Sequence, residues 1–263
     1  MRKFYFILYC LFFIAIGYFG TALGVKCYKS FALKEHKILV MISSYKRPLL
    51  LSGQIIRFQN QTYQNFDISV SIKGAPEDWV RRMFMQEWQP LMDKGRLFVR
   101  FDENKNQLSN HMDTLRDIDL DKYDYFCKVD DDDWYVPTYL EHVNEWLNKD
   151  ENIAMSASRN AVTLEEDEKT AKMKIFHGEM YGPTMCFSRD VMKTALKVEK
   201  DASALEPYID TETVKYLRHR REDNLLDKIA RKAGKIQFRN DGIPRVIYGR
   251  QYPGVTRQWL GTY

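Results

Sequence analysis

One stretch constrains the fold more than any other: Asp124-Tyr125-Phe126-Cys127-Lys128-Val129-Asp130-Asp131-Asp132-Asp133-Trp134-Tyr135-Val136-Pro137. Tyr125 to Val129 is rich in aromatic and β-branched residues and reads as a buried strand. It runs directly into four consecutive carboxylates. Like charges in a row repel one another, and packing alone gives no reason for them. A divalent cation does, because it neutralises the repulsion and prefers carboxylate oxygens. Pro137 suits the first turn of a helix, where its missing N–H would be unpaired anyway, and Leu140, Val143, Trp146 and Leu147 continue at helical spacing. The cluster thus stands where a strand ends and a helix begins, the place where open α/β sheets bind ligands. A solvated acidic loop is the plain alternative. An EF-hand loop is excluded: Asp130, Asp132 and Glu141 fall at its first, third and twelfth positions, but the sixth, which needs Gly, is Tyr135, and Pro137 breaks the loop.

The rest of the chain alternates between strands and helices. Ile38 to Ile42 is a fully buried, parallel-type strand, ended by Ser43-Ser44-Tyr45-Lys46-Arg47 and a helix-starting Pro48. A helix through Leu51, Ile55, Ile56 and Phe58 follows, then a strand over Phe66 to Ile72, a helix from Pro76 to Met92, a strand over Leu97 to Phe101 and a helix from Asn110 to Ile118. This order predicts an α/β fold: a mostly parallel, Rossmann-like sheet flanked by helices on both faces. No Gly-rich dinucleotide or P-loop fingerprint follows the first strand. Beyond the acidic stretch, Ile153 to Ser158 reads as a strand and Val162 to Phe176 as a hairpin with an exposed acidic turn. A turn and short strand come at Tyr181 to Phe187, a helix at Arg189 to Val198, and a polar, mobile loop at Glu199 to Tyr208. A helix at Asn224 to Ala233 is closed by Gly234, and a last strand is Val246 to Tyr248.

Phe4 to Val25 carries no charge and is long enough, at about 20 residues, to span a bilayer. No clear cleavage site follows it, so it reads as an anchor rather than a signal peptide. The expected organisation is an N-terminal anchor and juxtamembrane segment over 1–34 and one catalytic-size domain over 35–263. Lys26, Lys29, Lys34 and Lys37 slightly outnumber Arg2 and Lys3, which favours a single-pass protein with its main domain on the cytoplasmic face; the Golgi lumen is the alternative for a eukaryotic chain. The net charge of +4 permits anionic ligands and a membrane surface and gives no indication of nucleic acid. The four cysteines, Cys10, Cys27, Cys127 and Cys186, are scattered and predict neither a disulfide framework nor a zinc site, which fits a reducing compartment.

Four places together resemble glycosyltransferase family 2, with its GT-A fold. Ile38 to Pro48 is similar to the family's opening strand and nucleotide-facing turn. Gln61-Thr62-Tyr63-Gln64-Asn65-Phe66-Asp67-Ile68 is similar to the lead into its second strand. Asp130-Asp131-Asp132-Asp133 with Pro137 resembles its Asp-x-Asp metal motif. Glu222-Asp223, followed by Leu225 and Leu226, resembles the pair that supplies its catalytic base. The resemblance implies nucleotide-sugar contacts at Ser43, Ser44, Tyr45, Arg47, Asp130 and Asp131, a metal held by Asp132 and Asp130, and a base at Asp223 with Glu222 beside it. It departs from the family at Lys73, where an acidic residue usually touches the nucleobase, and in the tail, which has Arg250 and Arg257 but no late His.

The implied function is inverting transfer of a sugar from a nucleotide-diphosphate donor, a UDP-sugar foremost, to a hydroxyl of a glycan or lipid-linked acceptor, with Mn2+ or Mg2+ as cofactor. The residues suit that chemistry: a cation neutralises a leaving diphosphate, and a carboxylate at a helix start can take the acceptor's proton. As a plain structural residue, Asp223 would be an N-terminal acid favoured by the helix dipole. Two other functions remain open on the residues alone: a metal-dependent nucleotidyltransferase, and a membrane-anchored, non-catalytic cation- or carbohydrate-binding protein. Arg218, Arg220 and Arg221 read equally as a phosphate site or a solvated face, His177 as a structural residue, and Trp134 and Tyr135 as sugar-pocket or core aromatics.

Overall fold

The computed structural model describes residues 33–74, 77–102, 111–150, 152–167, 170–175, 182–205, 209–214, 222–239 and 244–248. The segment Phe4 to Val25 lies outside them; among the described residues no helix is long and apolar enough to cross a membrane. The chain divides after Lys34 into two units, and the elements named here belong to Glu35–Tyr263.

The continuous apolar run Ile38–Ile42 becomes a strand buried on both faces, and strands and helices alternate around it. In chain order these are β1 (Ile38–Tyr45), α1 (Pro48–Gln59), β2 (Phe66–Lys73), α2 (Asp78–Asp93), β3 (Leu97–Asp102) and β4 (Tyr125–Asp130). Then come β5 (Trp134–Tyr135), α3 (Tyr139–Leu147), β6 (Ile153–Ser158), the hairpin β7 (Val162–Asp167) and β8 (Thr170–Ile175), a 3-10 turn at Gly182–Thr184, and β9 (Cys186–Ser188). The chain closes with α4 (Arg189–Lys200), α5 (Glu222–Ala233), β10 (Lys235–Arg239) and β11 (Val246–Tyr248). A seven-stranded sheet has the order β10-β6-β9-β4-β1-β2-β3. Every pairing in it is parallel except those of β9, which runs against both β6 and β4. A second sheet, β5-β11-β7-β8, adjoins the end of β4 through the short strand β5.

Residue parity on the strands builds two cores. Ile38, Val40 and Ile42 of β1 share one face with Tyr125, Cys127 and Val129 of β4, and that face is covered by Leu51, Ile55 and Phe58 of α1, Phe84 and Trp88 of α2, and Leu140 and Val143 of α3. Leu39, Met41 and Phe126 point the other way, under Val191, Met192 and Ala195 of α4 and Leu225, Leu226 and Ile229 of α5. Truncating any of these fully buried leucines to alanine should cost about 2–5 kcal/mol.

Chain connectivity reverses direction between β1 and β4: β2 and β3 lie on one side of β1, and β4 on the other. The crevice at the carboxyl ends of such a strand pair is the binding position of open α/β sheets. Beside it, β1 and β2 end abruptly. Lys46 after β1 and Gly74 after β2 take left-handed backbone, with φ of 55° and 78°. A Cβ on Gly74 would meet Cγ of Lys46 at 2.6 Å, so this position requires glycine for space as well as for φ.

Several expectations change. Trp134 and Tyr135 pair with β11 before the chain can turn helical, so α3 begins at Tyr139, two residues after Pro137. Of the helix expected over Asn110 to Ile118, the described residues are helical at 111–113 and turns follow, with Asp117 at a left-handed φ of 64°. Part of the loop expected over Glu199 to Tyr208 is ordered, as the end of α4 and a 3-10 segment at Ala202–Leu205. The expectation of unpaired cysteines is corrected outright: Cys127 and Cys186, directly opposite in the β4–β9 register, form a disulfide. They are 59 residues apart in sequence, so only strand pairing reveals the bond. Cys10 and Cys27 lie outside the described residues. Peptide mapping of protein unfolded without reductant should show Cys127 and Cys186 refractory to alkylation and labelled only after reduction; labelling of both beforehand would remove the bridge.

Candidate functional site

Four adjacent carboxylates at the end of β4 need positive charge nearby, and the exit of β1 supplies it. Ser43 lies directly beside Asp130 in the β1–β4 register. Just past the end of β1, the Arg47 guanidinium forks across the cluster, with Nη2 2.5 Å from Asp131 Oδ1 and Nη1 2.8 Å from Asp132 Oδ2. Ser44 donates from its hydroxyl to the other Asp131 oxygen at 2.5 Å. Burial works to lower the Arg47 pKa, but Asp131, Asp132 and Asp130 outweigh it, and the net shift is upward, so the guanidinium is firmly charged. Burial also pushes the Asp131 carboxyl up, to about 7, against the opposing pull of Arg47 and Ser44 and with added repulsion from Asp132 and Asp130.

The four acids therefore separate in role. Asp131 is buried, both its oxygens are engaged, and it pins the loop to β1 rather than facing a ligand. Ser44 is buried with it. Asp133 is fully buried as well. Asp130 and Asp132 are half-buried at the rim, and Arg47 engages one of the two Asp132 oxygens. Of the β1 exit, Ser43, Tyr45 and Arg47 remain half-exposed, with Lys46 Nζ lying 5.3 Å from the Tyr45 ring centroid.

Tyr135 ties this loop to the neighbouring turn. Its hydroxyl accepts from the Asp130 backbone N–H at 3.2 Å and donates to the Pro183 carbonyl at 2.9 Å. Burial holds its phenol well above the ordinary value, so it stays neutral. Trp134 is exposed, with the Arg57 guanidinium 4.2 Å from its ring centroid. The pair of aromatics thus divides: Tyr135 belongs to the core, and Trp134 to the surface.

The other predicted acid arrives from across the sheet. Helix α5 packs Leu225, Leu226, Ile229 and Ala230 into the second core, which sets its first turn against β4. Asp223 stands in that turn, where a negative charge is favoured by the helix dipole, and its Oδ1 accepts from the Lys128 ammonium. Lys128 shares the β4 face of Phe126 and Asp130. On the other side of Asp223 lies Gly182, where a Cβ would overlap the carboxylate's Oδ2, so only glycine lets the acid settle there. Of Glu222 the backbone alone is described, as the first residue of α5.

Asp223 lies close enough to Asp130 to raise that group's cost of charge. Burial, first, and the carboxylates of Asp132 and Asp223 push Asp130 up; Lys128 and His111 pull it down. Lys128, His111 and Gly182 are not among the residues expected from sequence. A lysine inside a strand reads as a solvent-facing position, and only the burial of its neighbours and the start of α5 show otherwise.

Lys73 has a structural partner. Its ammonium, buried, binds Asp113, which Arg116 also holds at 2.7 Å. Charge at the end of β2 is thus neutralised internally.

Among the described residues no group of three or more His, Cys, Asp or Glu side chains is disposed to hold a metal ion. The donor set still suits a hard cation. Asp130 and Asp132 offer two rim carboxylates, and Mg2+-type sites commonly take one or two carboxylates and complete the shell with substrate phosphates and water.

No protein-family model and no curated protein matches the sequence. Solved structures match the fold. The crystal structure of S. aureus TarS 1–349 in complex with UDP superposes with a TM-score of 0.54 at 14% identity, over 81% of this chain and 60% of that one. The same TarS fragment in complex with UDP-GlcNAc gives 0.52 at 10% identity, over 81% and 58%. The mannosyltransferase PcManGT from Pyrobaculum calidifontis in complex with GDP-Man and Mn2+ gives 0.54 at 12% identity, over 89% and 66%. This chain therefore spans less than two thirds of each of these proteins.

If Arg47 neutralises the acidic loop, Arg47→Met should lower stability in chelator by about 2 kcal/mol, less than the full loss of a buried pair because Asp132 keeps water access. Millimolar Mn2+ should recover part of that loss and raise the variant's Tm more than the wild type's. Equal Mn2+ responses in the two proteins would show that the guanidinium is not what balances these carboxylates. Taken with the three superpositions, the sheet order, the β1–β4 crevice and its acidic rim give this chain the GT-A fold of glycosyltransferases.

Proposed function

We propose that the chain is an inverting, family 2-type glycosyltransferase that moves a sugar from a nucleotide-diphosphate donor to a hydroxyl of a glycan or lipid-linked acceptor. One observation carries the reading. Asp130, at the end of β4, and Asp223, from the start of α5, meet on the same face of that strand around Lys128, with Asp132 within electrostatic reach of Asp130. On this reading a diphosphate site and a proton acceptor are adjacent, in a fold whose solved neighbours are in complex with UDP, UDP-GlcNAc and GDP-Man.

The roles follow from position. Ser43, Tyr45 and Arg47 line the nucleotide side of the crevice. Arg47, already bound to Asp131 and Asp132, adds positive charge where a diphosphate would lie. The assignment of Ser44 and Asp131 changes from donor contact to support, since each uses the other and neither faces outward. Asp132 and Asp130 would hold Mn2+ or Mg2+, which when bound neutralises the leaving diphosphate as a Lewis acid. Asp223 accepts the acceptor's proton as its oxygen attacks the anomeric carbon; the bond from that carbon to the diphosphate oxygen breaks, and the nucleoside diphosphate leaves with the electron pair. Attack opposite the leaving group inverts the anomeric centre. Glu222 is assigned to the acceptor side. A UDP-sugar is the first donor to try.

The anchor reading of Phe4 to Val25 places this site at a membrane, within reach of a lipid-linked acceptor. Two features bear on which face. The excess of lysines after the segment is small, whereas a Cys127–Cys186 bridge belongs to oxidising compartments. We therefore place the catalytic unit on the non-cytoplasmic side, the alternative to the orientation the lysines favour. The full chain should stay with membranes through high-salt and carbonate washes; release into the soluble fraction would remove the anchor.

Paired variants test the site. Asp223→Asn keeps size and most hydrogen bonding, so donor affinity by calorimetry should stay near wild type while turnover falls by about a hundredfold or more, the usual scale for a lost general base. Asp132→Asn should instead lose cation-dependent donor binding. Wild-type turnover in Asp223→Asn, or equal loss of binding and rate, would leave the base unassigned; unchanged activity in excess chelator would remove the cation.

A further inference from the structure

We infer that Lys128 is the positioning residue of the base: an inward lysine that fixes the Asp223 carboxylate on the strand carrying Asp130. This rests on the assignment of Asp223 given above. Lys128 is four per cent exposed at its side chain, Asp223 thirty-five per cent. A lysine is rarely buried in a strand without a partner, and here Asp223 Oδ1 accepts from its ammonium. Asp130 stands two residues along the same face of β4.

The opposite side of the carboxylate is fixed by shape. Gly182 lies so close to Asp223 Oδ2 that a methyl group there would overlap it. Gly182 begins the turn whose Pro183 carbonyl is held by Tyr135. The base is thus seated between a cation on β4 and a backbone wall anchored to the acidic loop. Both supports belong to the structure that positions Asp130 and Asp132, so the distance between donor-binding and proton-accepting carboxylates does not depend on loop order. The remaining exposure of Asp223 is where an acceptor hydroxyl can approach.

A double-mutant cycle on kcat tests this, using the full chain and the donor on which the wild type turns over. Lys128→Met preserves volume and removes the charge; Asp223, partly solvated, is left to water. It should lower kcat about ten- to a hundredfold, the scale for a catalytic group displaced by about 1 Å, with donor KM near wild type. In the Asp223→Asn background the same change should have little further effect, because Lys128 acts through a group already disabled. Lys128→Gln, whose amide still donates one hydrogen bond, should fall between wild type and Met, and it repeats the cycle if the Met variant fails to fold. Additive losses in a folded variant, a loss confined to KM, or wild-type kcat in Lys128→Met would overturn the role of Lys128. Wild-type kcat in Asp223→Asn would instead overturn the base assignment itself, so the two failures are distinct.

Discussion

Four carboxylates in a row at a strand end set the terms for this structure. Their mutual repulsion has to be met by positive charge and hydrogen bonds held in place. Arg47 forks across Asp131 and Asp132 from the exit of β1. Lys128 lies behind Asp130 on β4, between it and Asp223. Ser44 completes the neutralisation of Asp131 by hydrogen bonding rather than charge. Without β1 beside β4 the guanidinium could not reach the loop, so the central strand pairing and the acidic rim depend on each other. Charge balance also sorts the acids. Asp131 and Asp133 are buried, with Asp131 pinning the loop to β1, and Asp130 and Asp132 stay half-buried at the rim.

Parity on β4 carries this to the rest of the molecule. Its odd-numbered residues, Tyr125, Cys127 and Val129, serve the core under α1 and α3 and the bridge to Cys186. Its even-numbered residues, Phe126, Lys128 and Asp130, face α5. The same strand therefore anchors one face covalently and presents its chemistry on the other. Helix α5 needs no contact with the acidic loop to take part; its apolar stripe sets the depth of its first turn, and Gly182 leaves room for the carboxylate that results. Tyr135 then couples the loop to that turn through one hydroxyl.

Much of this is legible in the residues, and the gaps have physical causes. Strands β1, β4 and β6 are mainly apolar runs buried on both faces, a signal that needs no tertiary information, whereas β2 alternates apolar and polar residues and β3 is a short apolar edge strand. Helices α1, α2, α4 and α5 show one-sided apolar spacing. Strand β10 carries no such signal, because Lys235-Ile236-Gln237-Phe238-Arg239 lies at the sheet edge, where most of its side chains reach water. The two-residue strand β5 exists only because β11 pairs with it, so α3 starts later than Pro137 suggests. The disulfide follows from register, which spacing in sequence does not contain. At the site, the acidic cluster and Asp223 are visible as residue types in unusual places. Their division into inward and outward acids is not, since it depends on which carboxylates Arg47 and Ser44 can reach. Lys128 is invisible for the same reason: its meaning comes from a helix whose Asp223 lies 95 residues later.

The central claim is that this crevice cleaves a nucleotide sugar at its anomeric carbon. Phosphorus NMR of purified protein with a UDP-sugar, acceptor and the diamagnetic Mg2+ tests it most directly, because the products of the competing chemistries have different phosphorus signatures. The account predicts accumulation of a nucleoside diphosphate that stops when the cation is chelated. Free pyrophosphate would instead mean nucleotidyl transfer, and an unchanged spectrum across UDP- and GDP-sugars would contradict catalysis at this site.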